Sequence, residues 1–344
     1  MPYTIHDTPE TLARIEADLD LVAREVRAVD PHLRSLVLTG GFARGEGAMK
    51  DGAPQNDYDF VAVRATARPP RGYDEVRRRL EERLGLHVDL APVAAWRLPY
   101  AAKSIFWYET ALRGKVVWGD DLLGRVRVRR VSDIGRGEGV RLLVNRAAGL
   151  LLATTLQDPH ARRIQCAKAL LAASDAHLLA LGRFPPSQTE RQAVLEALRA
   201  EGRMPEAVAA MGDWQPWGYR YKVDPAHTEP RDSLQAWRAA REAILEALPV
   251  ALAHAGCKDL EAYARRDGLL DHVVYARRSA AVPDARRLAR NPTGRVRVAT
   301  VRLLELSDGE SVPDDAARAC LGNLARRVDE PVRALEAFRR ATLQ

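Results

Sequence analysis

Residues 38–60 read LTGGFARGEGAMKDGAPQNDYDF. Two adjacent glycines, Gly40 and Gly41, close the apolar run Ser35–Thr39 (SLVLT); a stretch of polar and small residues follows, and then Asp57 and Asp59 stand one residue apart at the head of DYDFVAV. SLVLT has the composition of a short buried strand, and Asp57–Val63 alternates its side chains as a strand does. Residues i and i+2 of a strand point to one face, which brings the carboxylates of Asp57 and Asp59 together with their backbones about 7 Å apart. Like charges so placed repel, and a divalent cation between them removes the repulsion. Hard oxygen ligands with no neighbouring His or Cys select Mg²⁺ or Mn²⁺. Glycines at the end of a buried strand let backbone N–H groups approach a phosphate, and the one or two helical turns expected over Phe42–Ala48 add a positive dipole end. Gly40 and Gly41 are thus a candidate triphosphate cradle, with Arg44 and Lys50 as candidate side-chain contacts.

Further along, Leu86–Val93 (LHVDLAPV) reads as a third strand, with Asp89 where the pattern expects a buried side chain. A buried charge needs a partner. If this strand lies beside DYDFVAV, Asp89 joins the same metals, and three carboxylates with substrate oxygens complete a two-metal site. Tyr73–Leu84 is expected to be a helix with a basic face. Upstream, Leu12, Ile15, Leu19, Val22 and Val26 recur at helical spacing between Thr8 and Val29, with Asp7 or Thr8 as N-cap and Pro31 ending the run. Strand, helix, strand, helix, strand in this order is an α/β pattern.

Beyond Gly119 the character changes. From about Glu138, VRLLVNRAAGLLLATTL, RRIQCAKALLAASDAHLLAL, ERQAVLEALRA and SLQAWRAAREAILEALPVALA all have helical periodicity, with breaks at Asp158-Pro159, Gly182–Pro186 and around Trp214–Pro225. An Arg-rich segment from Asp259 onwards is also helical in pattern, interrupted at Pro283, Pro292 and Pro313. The expected fold class is therefore α/β (α+β): a small mixed sheet with flanking helices over residues 1–125, an all-helical domain over 126–255, and a helical Arg-rich extension over 256–344.

The 344 residues, 47% of them hydrophobic, suffice for two or three domains with buried cores. No uninterrupted apolar run approaches the roughly 20 residues that cross a bilayer, and the opening MPYTIHDTPETLARIEADLD is acidic and lacks a secretory apolar region, so a cytoplasmic location is expected. Cys166, Cys257 and Cys320 are widely separated and lack metal-ligand spacing, which points to reduced core residues. The net charge of +7, carried mostly by Arg, favours polyanions in general and supplies forked donors suited to phosphate.

The runs LVLTGGFARGEG, NDYDFVAV and HVDLAPV together resemble the nucleotidyltransferase superfamily of the DNA polymerase beta type, in its minimal or antibiotic-type form with a helical C-terminal domain. The resemblance covers roughly residues 30 to 120. It implies that Gly40 and Gly41 are the phosphate turn, that Asp57 and Asp59 are metal ligands, and that Asp89 is the third carboxylate, which assists deprotonation of an acceptor hydroxyl. Two departures stand out: the interval between Gly41 and Asp57 is longer than usual, implying a small insertion around MKDGAPQ, and Gly41 occupies a position often held by Ser. The implied reaction is transfer of a nucleoside monophosphate from an NTP, by family frequency ATP, to a hydroxyl, with Mg²⁺ or Mn²⁺ and release of pyrophosphate.

A compact helical second domain resembles that of antibiotic and other small-molecule nucleotidyltransferases, which implies a small hydroxylated acceptor. The alternatives are a macromolecular acceptor, either tRNA or a partner protein of the toxin–antitoxin kind, and a non-catalytic nucleotide-binding regulator. The intact carboxylate triad argues against the last, because buried charges without a use are costly to keep. In related enzymes basic residues reach the triphosphate from the helical domain, which makes Lys168, and beside it Asn145 and Arg146, candidates for that contact, with Lys222 a further one. Trp107 and Tyr108 suit a base stack or, at helical spacing, the core; Glu109 suits an acceptor contact or a salt bridge. The run RRSAAVPDARRLAR at 277–290 reads as a solvated helix face with a possible use in docking nucleic acid.

Overall fold

A computed structural model of the chain describes residues 2–68, 72–265 and 292–310. The described residues fall into two compact units: one within Met1–Gly135, Phe184–Ala197 and Lys222–Glu229, the other within Arg136–Arg183, Leu198–Tyr221 and Pro230–Gln344. Together they are a mixed α/β structure, with a small mixed sheet followed by helices.

The first unit is built on a four-stranded sheet. Its strands are β1 (Leu33–Thr39), β4 (Tyr58–Arg64), β5 (Val88–Ala94) and β6 (Lys115–Gly119), in the order β5-β4-β1-β6. β1 runs antiparallel to both β4 and β6, whereas β4 and β5 are parallel. The parallel pair needs a crossover, and helix α3 (Tyr73–Leu84) supplies it. Helix α1 (Pro9–Val29) starts as its sequence predicts: the Thr8 hydroxyl accepts from Thr11 N at 3.2 Å and Pro9 occupies the first turn. Its buried stripe, including Ile15, Leu19, Val22 and Val26, shares one core with Val76 and Leu80 of α3 and with Leu36, Leu38, Tyr58, Phe60, Val88 and Leu90 of the sheet. Tyr58 and Phe60 face this core, so the strand alternation turns Asp59 to the opposite face.

Three features differ from the sequence expectation. The stretch MKDGAPQ forms a hairpin, β2 (Met49–Lys50) with β3 (Ala53–Pro54), turned by Asp51 (φ 50°) and Gly52 (φ 75°), the left-handed pair that an Asp-Gly turn requires. KVVWG forms the edge strand β6, a run short enough to be hidden behind helix α4 (Ile105–Arg113). The helix after the glycines, α2, spans only Gly40–Arg44, because Gly45 takes a left-handed φ of 79° and ends it.

The second unit is helical. Its framework is α5 (Glu138–Ala153), α6 (Pro159–Ala180) and α10 (Ser233–His254), joined by the helix Pro292–Leu306. Ala167, Ala169, Ala172, Ala173 and Ala176 of α6 and Ala236, Ala240, Ala243, Ala247 and Ala251 of α10 are buried, and such small side chains let helices approach closely. Asp158 and Asp232 cap α6 and α10 by accepting from backbone N–H groups of their first turns. Trp237 Nε1 donates to Leu150 O at 2.8 Å, satisfying the one polar atom of the largest fully buried side chain.

Most of the Arg-rich stretch lies outside the described residues, including Arg277, Arg278, Arg286 and Arg287 and the whole 277–290 run, as does Cys320. Cys166 is buried, which pushes its thiol up to about 12, and Cys257 is half-buried. Among the described residues no helix is long and apolar enough to cross a membrane.

Candidate functional site

The sheet register brings two of the three acidic residues, Asp59 and Asp89, together. Asp59 is the direct partner of Asp89 across the parallel β4–β5 pair and of Thr39 across the antiparallel β1–β4 pair. In-register neighbours on adjacent strands stand about 4.8 Å apart and present their side chains on one face. Asp59 and Asp89 are half-buried, and Asp57, two residues before Asp59 and just ahead of the strand, is exposed. Thr39 Oγ1 donates to Asp59 O at 3.1 Å and so pins the end of β1 to the aspartate.

Gly40 follows Thr39 directly. Its φ is 68°, and a Cβ built on it would lie 2.2 Å from Asp59 Oδ2. No side chain fits there, so the glycine backbone packs against the aspartate carboxylate. Gly41 is less constrained: a Cβ would meet Glu46 O at 3.4 Å, an ordinary contact, and its φ is not in the left-handed region. The steric need for glycine is thus concentrated at Gly40.

Arg44 has partners within the protein. Its Nε donates to Glu46 Oε2 at 2.9 Å and its Nη1 to Glu109 Oε2 at 2.7 Å. Glu109 also accepts from Arg191 Nη2, and Arg191 lies 3.7 Å from the centre of the Phe184 ring and donates from Nε to Pro185 O at 2.8 Å. Glu46 is 2% exposed and its second oxygen accepts from Thr189 N at 2.8 Å. Burial works against the Arg44 charge, but Glu109, Glu46 and more distantly Asp59 outweigh it and raise its pKa. The result is a buried chain of alternating charge, Glu46–Arg44–Glu109–Arg191, next to the glycine turn. The sequence singled out Arg44 and Glu109; Arg191 gave no sign, because its pairing with Glu109 joins segments 82 positions apart, and Glu46, though only two residues from Arg44, has no pattern that marks it as its partner.

On the other side of the turn, Lys115 Nζ donates to Phe42 O at 3.4 Å and to Pro2 O at 2.5 Å and sits 4.0 Å from the centre of the Tyr3 ring. Burial, opposed by Asp7, lowers this amine to about 8. The N-terminal segment itself is laid along the turn: Gly47 N donates to Tyr3 O at 2.9 Å, and Thr4 bridges Gly47 in parallel.

The remaining candidates fall as follows. Lys50 is exposed on the hairpin strand β2. Tyr108 is buried and donates to Phe184 O at 3.0 Å, a core role, while Trp107 is half-buried with its ring edge-on to Phe106. Lys168 is half-buried on α6, and Asn145 and Arg146 are on α5, all three in the helical unit. Lys222 is half-buried near the end of helix α9 (Trp214–Val223).

No family model and no curated protein matches the chain. Among solved structures, a toxin–antitoxin structure with AMP-PNP is similar at 20% identity, with a TM-score of 0.24, over 30% of this chain and 74% of that one. A likeness at that TM-score carries no weight for fold or function.

Proposed function

We propose that this chain is a metal-dependent nucleotidyltransferase that moves AMP from ATP to a hydroxyl of a small molecule and releases pyrophosphate. The observation that carries the reading is the juxtaposition at the head of the sheet: Asp59 stands in register with Asp89, and Gly40, unable to bear a side chain, packs against the Asp59 carboxylate. The donor types fit Mg²⁺ or Mn²⁺, since the in-register carboxylates of Asp59 and Asp89, with Asp57 just ahead of the strand, offer only hard oxygens. Asp57, Asp59 and Asp89 would hold the ions. When bound, they supply charge neutralisation at the transferring phosphate.

The chain's own residues do the rest. At Gly40 and Gly41 bare backbone lets a phosphate come close to main-chain N–H groups, an interaction most useful as charge builds on the departing pyrophosphate. Arg44, fixed by Glu46 and Glu109, is a rigid positive charge beside Asp59, not a mobile arm. Asp89 accepts the proton as the acceptor oxygen bonds to the α-phosphorus and the bond to the β-phosphate oxygen breaks. Holding the acceptor in line with that bond supplies much of the rate.

The test is incubation with α-labelled ATP, GTP, CTP and UTP and Mg²⁺ in the presence of cell extract, followed by separation of small-molecule, RNA and protein fractions. Label in the small-molecule fraction, lost in Asp59→Asn, is expected. Label in RNA or protein would move the acceptor to the macromolecular class. Neither label transfer nor nucleotide binding would end the proposal.

A further inference from the structure

Away from the carboxylates, three side chains that the proposed reaction does not use come together in the first unit. His6 Nε2 lies 3.1 Å from Asp224 Oδ2, and His227 Nδ1 lies 2.8 Å from Asp224 Oδ1. The three ligand atoms are all within 4.8 Å of one another, and the two imidazoles meet edge to face with centres 5.7 Å apart. We propose that His6, Asp224 and His227 form a binding site for a divalent transition ion of the zinc type, which fastens the N-terminal segment to the loop after α9.

The chemistry of the donors sets the ion class. Two imidazole nitrogens and one carboxylate oxygen are the ligands of zinc-type sites, whereas Mg²⁺ prefers oxygen alone. Bonds of about 2.0–2.1 Å to a tetrahedral ion put its ligand atoms about 3.4 Å apart; the two imidazoles now reach different oxygens of Asp224, at 3.1 and 2.8 Å, so the rings must move for three atoms already within 4.8 Å of one another to meet at one ion. The side chains can make that change: His6 is 63% and His227 74% exposed, so both rings can turn, while Asp224 at 17% is the held partner. Three protein ligands leave a fourth position for water.

Each arm of the site is also fixed from behind. The Asp7 carboxylate accepts from Tyr3 N and Thr4 N, both at 2.9 Å, and from Thr4 Oγ1 at 2.7 Å, which shapes the turn that carries His6. Asp224 O accepts from Thr228 Oγ1 at 2.6 Å, closing the turn that carries His227. The ion would therefore join two local turns whose sequence positions are 218 apart. The N-terminal arm is the one that lies along Gly47 and receives Lys115 through Pro2 O, so fastening it supports the wall of the glycine turn.

The experiment uses the full chain without a polyhistidine tag, stripped with chelator and titrated with Zn²⁺ by calorimetry and with Co²⁺ by visible absorption. One equivalent of Zn²⁺ is expected, with a tetrahedral Co²⁺ band and a rise in Tm. In His6→Gln/His227→Gln the affinity should fall by at least about 100-fold and both the band and the Tm rise should vanish. Both histidines are exposed, so the variant is expected to fold. Because the fastened arm lies along the glycine turn, MgATP binding of the variant is compared with that of the chelator-stripped unaltered chain, and the two should match, which separates this site from the proposed nucleotide site. A single Zn²⁺ equivalent retained by the variant, or no binding by the unaltered chain, would overturn the proposal and leave a simple His–Asp–His hydrogen-bond clasp.

Discussion

The two ends of β4 treat charge in opposite ways. At its far end Arg64, 3% exposed, forks onto Asp30 with Nε to Oδ2 at 2.5 Å and Nη2 to Oδ1 at 2.8 Å. Tyr73 OH adds a third bond to Asp30 at 2.7 Å and His32 N a fourth at 3.1 Å. Every lone pair of consequence is used, and the cluster ties β4 to the end of α1 and the start of α3. At its near end Asp59 and Asp89 share a register position with their side chains half-buried, and Asp57 is exposed beside them. Here carboxylate stands opposite carboxylate across the ladder, a like-charge pairing that costs stability on its own. One strand thus carries a structural clamp at Arg64 and, five residues earlier, a candidate site at Asp59, and the difference lies in what each carboxylate is set against: a fork of opposite charge for Asp30, a second carboxylate across the ladder for Asp59.

Exchanging the lesions tests that contrast most severely. Asp59→Asn should lower NTP turnover by roughly 10³-fold or more, the scale of losing a group aimed at transition-state charge, with Tm unchanged or raised. Arg64→Met should do the reverse: it strands the Asp30 charge in the core, at a cost of about 3–5 kcal/mol of stability. Urea denaturation of both purified variants beside turnover assays reads the two effects separately. A destabilised Asp59→Asn with normal activity would collapse the distinction between the two ends.

The glycine turn sharpens it further. Gly40→Ala puts a methyl where Asp59 Oδ2 stands and forces a left-handed φ on alanine, a backbone cost of about 1–2 kcal/mol before the clash. Nucleotide affinity measured by calorimetry should fall strongly. Gly41→Ala, with ordinary room for its Cβ, should leave stability within about 1 kcal/mol. Equal effects from both substitutions would show that the constraint is not local to Asp59.

A smaller effect distinguishes the clamp by pH. Burial raises the Asp30 pKa, but the Arg64 fork, the Tyr73 hydroxyl and the His32 amide outweigh it and hold the carboxyl below its ordinary 3.8. A depressed carboxylate contributes stability that is present above its unfolded pKa and is lost as pH falls through the folded value. Asp30→Asn should therefore flatten the acid limb of the stability curve below about pH 4, as followed by circular dichroism. A limb as steep as that of the unaltered chain would assign acid unfolding to other groups.

The smallest expected effect is at Lys115. Its amine, lowered to about 8 by burial, binds fewer protons in the folded chain than in the unfolded one, so stability should rise slightly with pH between about 8 and its ordinary 10.5. Carbon-detected NMR of the lysine Cε signals should show one residue titrating well below the others, and Lys115→Met should remove it. A Lys115 signal that titrates with the exposed lysines would show that its pocket is wet.

Much of the first unit was legible in the residues because short-range rules govern it. Alternation located β1, β4 and β5, and helical spacing with Thr8 and Pro9 located α1. The Asp-Gly pair at 51–52 carried a hairpin signal that was read only as an insertion, because a two-residue strand has too little pattern to register. β6 was passed over for a related reason: KVVWG follows a helix whose aromatic spacing dominates the window.

By itself the sequence singled out the candidate positions, Asp57, Asp59 and Asp89 as acidic residues at or beside strands and Gly40 and Gly41 at the end of an apolar strand. These follow from the period of a strand and the missing Cβ of glycine, both local properties. Only the tertiary structure decided the neighbours. Asp89 stands opposite Asp59 and not one step off because the α3 crossover and the shared core of Tyr58, Phe60, Val88 and Leu90 fix the register, and a slip of one residue would turn every side chain to the wrong face. Arg44 is bound to Glu109, and His6 meets Asp224 and His227, through contacts between segments 65 and up to 218 positions apart. Such pairings depend on how the chain closes long loops to bury its apolar surface, a property of the whole fold that no short stretch contains.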